Sequence, residues 1–169
     1  MRKVLLVVSC WAICVAALLA VTEQPLNVKP GLWQVERTIH YSGLPPQMQA
    51  MLDRMTPQQK AAMGIDTPHP FKLCRTEKQL NTSWVQGDNN CKWTVQKSTS
   101  SDLEVHGTSC RAGQNEGGTT NVDVKIHVFD PEHLRGSIHG TQTEEGVNAT
   151  LDGTYTAKWL GASCPDDTK

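Results

Sequence analysis

Val147-Asn148-Ala149-Thr150-Leu151-Asp152-Gly153-Thr154-Tyr155-Thr156-Ala157-Lys158-Trp159 is the stretch that decides the fold. Its odd positions are apolar or small and its even positions polar, without a break. A period of two marks a half-buried β-strand, because successive side chains point to opposite faces. At about 3.3 Å per residue, these thirteen positions would reach roughly 40 Å if straight. A sheet with strands that long in a small domain must twist and coil.

Reading outward, the same period recurs upstream. Val122, Val124, Ile126 and Val128 share one face, and Leu134, Gly136, Ile138 and Gly140 continue it. Closing the Glu145-Gly146 turn tightly places Gly136 opposite Tyr155 and Gly140 opposite Leu151. Small residues facing large ones inside suit a strongly curved sheet. Further up, Cys91–Val95 and Leu103–Gly107 form a hairpin about the Ser/Thr/Asp turn at 98–102, with Val95 opposite Val105 and Trp93 opposite Gly107. The first strand is Leu32 to Tyr41, with Trp33, Val35, Ile39 and Tyr41 on one side. Arg37 is the exception on that side, and its stem can lie along apolar surface.

Residues 45–64 read differently. Met48, Met51, Leu52 and Met55 form one helical stripe, and Thr56-Pro57-Gln58-Gln59 carries capping chemistry with Gly64 as the stop. Two short helices, or one kinked at Pro57, are expected, with the methionine stripe packing the segment onto the sheet. An adaptable binding surface is the alternative for the stripe. Thr76-Glu77-Lys78-Gln79 announces one further helical turn. The fold class is therefore mainly β: an antiparallel meander forming a strongly curved sheet or small barrel-like fold, with a short helical insertion after the first strand.

The amino terminus points to export. Met1-Arg2-Lys3 is basic, Val4 to Ala20 is uncharged and apolar or small, and Val21-Thr22-Glu23-Gln24-Pro25 turns polar. These are the parts of a signal peptide spanning residues 1–20, cleaved after Ala20 or after Thr22. An uncleaved anchor and a lipoprotein box at Val7-Val8-Ser9-Cys10 are the competing readings. Residues 21–169 are then a single domain, whose formal charge falls from −1 to about −3 without Arg2 and Lys3. With no dense Lys/Arg block, nucleic acid is not an expected partner. Cys74, Cys91, Cys110 and Cys164 remain, an even number that reads as two disulfides in an exported chain. The 98–102 hairpin brings Cys91 within one position of Cys110, a step that a β-bulge reconciles. Cys74 is left for Cys164.

Lys29-Pro30-Gly31-Leu32-Trp33 is the most specific string in the chain. With Cys74-Arg75-Thr76-Glu77, the Cys91/Cys110 hairpin and the closing Gly161 to Pro165, it resembles the bacterial domain-of-unknown-function 3617 family of exported proteins, over about residues 27–165. The resemblance implies a Gram-negative, periplasmic location and transfers no catalytic residue.

Chemistry-bearing motifs are sparse. No Gly-x-Ser-x-Gly elbow, Ser-x-x-Lys or metal-ligand spacing occurs, so no cofactor or metal is expected. A four-residue loop at Asp130–His133 would pair Ile126 with Ile138 and gather His127, His139 and Lys125 on one outer patch, the basis of an alternative reading as a hydrolase or metal-dependent enzyme. His69 sits alone between prolines. The favoured expectation is a monomeric binding or structural module. Its partner would be a small apolar ligand, a lipid or an envelope protein, held on a concave face bearing Trp33, Tyr155 and Trp159 with Met51 above it.

Overall fold

The computed structural model describes residues 24–80, 91–110, 119–144 and 147–165. The proposed signal peptide lies outside them. The elements run β1 (Gly31–Ser42), α1 (Pro46–Arg54), α2 (Pro57–Met63), β2 (His69–Arg75), a 3₁₀ turn (Glu77–Gln79), β3 (Lys92–Ser98), β4 (Asp102–Cys110), β5 (Thr119–Asp130), β6 (His133–Glu144) and β7 (Val147–Gly161). The strands form one antiparallel seven-stranded sheet in the order β2-β1-β7-β6-β5-β4-β3. Strands β3 to β7 are a meander. The first strand then pairs with the last, and β2 adds to its free side. The sheet curls without closing into a barrel.

Alternation places most of the large apolar strand residues on the inner face, with Phe129 of β5 and Leu160 of β7 exposed on the other. Trp33, Val35, Ala157, Leu134 and Val128 are buried at one end of the curl, and Ile126, Leu103, Val124 and Val105 extend the packed core along β4 and β5. That end is plugged by the lead-in. Leu26 N–H donates to Leu80 O, Asn27 N–H to Ser100 O and Lys29 N–H to Pro131 O, while Leu26, Val28 and Leu80 join the core.

The registers expected from alternation hold. Gly136 faces Tyr155, Gly140 faces Leu151, Val95 faces Val105 and Trp93 faces Gly107. The glycines make room for rings: a Cβ on Gly136 would lie 2.1 Å from Tyr155 Cζ, and one on Gly107 2.9 Å from Trp93. The Pro30-Gly31 string has a comparable cause. Gly31 adopts φ 130°, and a Cβ there would lie 2.2 Å from Gly161 O. Beside it, Trp33 Nε1–H donates to Lys29 O and Trp159 Nε1–H to Pro30 O. The string is thus the seam where β1 begins against the end of β7.

Two helices form as the caps dictate. Thr56 and Gln59 complete a capping box, and Gly64 ends α2 with φ 73°. The packing expectation fails: neither helix has a buried residue, and Met51 is 54% exposed. The segment is held instead by main-chain bonds at its exit, Ile39 N–H to Gly64 O and Asp66 N–H to Ile39 O, with Ile65 buried beside β1. Met48, Met51 and Met63 are exposed while Leu52 and Met55 are half-buried, because so short a segment is fixed by its end rather than its side.

The Cys74–Cys164 disulfide is present, with Cα atoms 5.7 Å apart, and ties edge strand β2 to the chain beyond β7. Cys91 is also disulfide-bonded. The Cys110 side chain lies outside the described residues, and with it the expected Cys91–Cys110 pairing. The β4–β5 register does shift between Gly107 and Cys110, where Ser109 has φ 54°.

Candidate binding surface

The inner face is a ladder of cross-strand rungs. Leu73–Trp33–Trp159 and Phe71–Val35–Ala157–Leu134–Val128 lie at the plugged end. Next comes His69–Arg37–Tyr155–Gly136–Ile126–Leu103. Above it stand Ile39–Gly153–Ile138–Val124–Val105–Val95 and then Tyr41–Leu151–Gly140–Val122–Gly107–Trp93. On β1, β7 and β6, the large side chains from the Arg37–Tyr155 rung onward are half-buried (Arg37, Tyr155, Ile39, Ile138, Tyr41 and Leu151), while the small Gly153, Gly140 and Ala149 among them stay buried. Among the described residues, nothing covers this apolar, glycine-lined wall as the lead-in covers the plugged end, and its floor is the core.

The expected ligand contacts separate on this map. Trp33 has no exposed surface and belongs to the packed floor. Trp159 lies at the seam under Lys29, whose Nζ is 4.6 Å from the ring centre. Tyr155 lies on the half-buried wall, and burial pushes its phenol pKa up, so it remains an O–H donor. Met51 lies on α1 and is exposed.

The outer face is polar and carries a feature that the sequence hid. His106, Asp123, His139, Asp152 and His40 form one rung across β4, β5, β6, β7 and β1. Two Nδ1–carboxylate hydrogen bonds of 2.7 Å run along it, His106 to Asp123 and His139 to Asp152, and a third of 2.7 Å ties His40 at its end to Asp66. The expected His127/His139/Lys125 patch does not form. Ile126 faces Gly136, so His127 lies opposite Arg135 and His139 opposite Asp123. The cause is a tight turn: Asp130 pairs with His133, and Asp130 Oδ1 accepts hydrogen bonds from Glu132 N–H and His133 Nδ1. Those contacts lower the Asp130 carboxyl pKa, the Glu132 N–H foremost.

His127 instead donates to Asp102 at 2.9 Å, and that bond, with one from Ser101, holds the Asp102 carboxyl down at about 2. A groove of about 500 Å³ runs past Asp102, His127, Arg135 and Thr156. A second, of about 540 Å³, runs past Glu36, Phe129 and Lys158. Both are open and polar-edged. Among the described residues no three His, Cys, Asp or Glu side chains converge as a metal site requires, and no helix is long and apolar enough to cross a membrane.

A family profile described as protein of unknown function (DUF3617) matches residues 28–164. The chain belongs to the DUF3617 family. The matched span of this DUF3617 chain opens at Val28, in the plug, and closes at Cys164, in the bridge to β2. It therefore covers the curled sheet and the part of the plug from Val28 onward. None of the curated proteins and none of the solved structures compared with the chain matches it.

Proposed function

We propose that this DUF3617 chain is an exported periplasmic protein that binds rather than catalyses, holding a small apolar ligand against the open wall of its curled sheet. The observation that carries the reading is the half-buried wall of Ile39, Tyr41, Ile138, Leu151 and Tyr155 standing on a fully packed floor. Concave apolar surface with a few polar groups is the usual chemistry of a small-molecule site. The basic, then apolar, then polar amino terminus and the Cys74–Cys164 bridge support an oxidising, exported setting.

Mass spectrometry of gently purified protein, with a competing hydrophobic dye, tests the binding reading. A co-purifying apolar molecule that displaces the dye supports it. Protein that carries nothing and leaves the dye dark overturns it. Periplasmic protein whose sequence starts at Val21 or Glu23 supports the export reading, and protein retained in the cytoplasm with Met1 intact defeats it.

A further inference from the structure

Three polar atoms on the inner face are buried without any hydrogen-bond partner: Arg37 Nε, Tyr155 Oη and Trp93 Nε1. Arg37 and Tyr155 are direct cross-strand partners on β1 and β7, with the Tyr155 hydroxyl carried over Gly136 of β6. All three groups can donate a hydrogen bond, and the two nitrogens can only donate. An unpaired buried donor is costly, and native proteins rarely leave one without a reason.

The surroundings do not answer these donors. From the Trp33 rung to the Tyr41 rung, the inner-face strand positions hold no Asp or Glu. The Arg37 guanidinium is instead 5.7 Å from the centre of the Phe71 ring, with His69 as its other cross-strand neighbour. Among the described residues, a charge that is always present therefore stands in an apolar wall with no carboxylate on the inner strand positions around it.

We infer that the open wall takes an amphiphile with an anionic, acceptor-only head, a carboxylate or a phosphate ester. The head sits on Arg37 and Tyr155, and a single alkyl tail lies along Ile39, Ile138, Leu151 and Tyr41 towards the mouth. The planar Nε/Nη edge of Arg37 suits two oxygens of one head group, and the Tyr155 O–H supplies a third bond. The wall above Arg37 extends two rungs, about 13 Å at the rise of a β-strand, which suits a tail of medium length. Trp93, on β3 in the uppermost rung, offers its own N–H on the same face at the far edge of the sheet. This assignment rests on the binding reading above and adds the head group to it.

Isothermal titration of the purified full chain tests the assignment with four probes: dodecanoate, dodecyl phosphate, dodecanol and dodecyltrimethylammonium. The two anions should bind at least tenfold tighter than the alcohol, and the cation should be weakest. The tighter of the two anions identifies the head. Tyr155→Phe and Arg37→Met should each remove most of that preference. The thermal midpoint of the ligand-free variants should hold or rise, because each substitution deletes an unpaired donor. A merely structural role would lower the midpoint instead. If Arg37→Met does not fold, Tyr155→Phe, which loses one oxygen atom, carries the test. Equal binding of dodecanol and dodecanoate, or a preference that survives substitution, overturns the head-group assignment and leaves the apolar wall standing. Failure of all four probes to bind defeats both readings.

Discussion

The plugged end and the open wall are made from the same alternating strands, yet they differ in what stands over them. At the plugged end, Trp33 is 0% and Leu134 2% exposed, because Leu26, Val28 and Leu80 complete their packing. On the open wall, Ile138 and Leu151 stay half-buried among the described residues. Strand periodicity decides which face a residue occupies. The cover decides whether that face is a core or a surface. In this chain the cover comes from the lead-in and the turns, not from the helical insertion.

Substitution should break the comparison most sharply at the floor. Trp33→Ala deletes the largest side chain with no exposed surface and should cost about 3 to 5 kcal/mol in chemical denaturation. Leu151→Ala on the wall should cost under about 1.5 kcal/mol, since the side chain is only partly buried. Equal losses would mean that the two ends are one core. The double change Cys74→Ser/Cys164→Ser opens a loop with a sequence separation of 90 and should lower stability by about 2 to 4 kcal/mol. Thermal melts of the variant beside oxidised wild type read it.

Smaller effects sharpen the picture. Gly136→Ala places a methyl group 2.1 Å from the Tyr155 ring and should cost about 1 to 3 kcal/mol. Adding Tyr155→Leu should recover part of that loss in a double-mutant cycle; strict additivity would show that the ring does not depend on this glycine. The smallest effect is the response to acid. The Asp102 carboxyl is held down at about 2 in the fold, so its stabilising contribution is complete above its unfolded value near 4 and is lost as pH falls towards 2. Asp102→Asn should remove that step from an acid titration of stability.

How much of this was written plainly in the chain depends on the length scale. Strand faces, the capped helices at Thr56 and Gly64, and the Gly136–Tyr155 register follow from local chemistry, and they formed as read. The Ile126–Ile138 pairing did not, because a shift of two residues keeps every apolar side chain on the inner face. Hydrophobic alternation cannot distinguish such registers. The deciding signal was the Asp130 side chain, which accepts from Glu132 N–H and tightens the turn. The open wall was legible in part. Arg37 stood out as a charge on an apolar side, but its missing partner appears only when six strands are laid beside each other.

The His–Asp rung of the outer face answers the ambiguity that alternation leaves. In the register displaced by two residues, His139 would meet Lys125 in place of Asp123, and the row would lose its alternation of imidazole and carboxylate. Exposed pairs of this kind are each worth under about 1 kcal/mol. Their value lies in being wrong together when the strands slip. The rung therefore works as a checksum on strand alignment, read on the face that water sees, for a core whose own pattern repeats too regularly to detect the error.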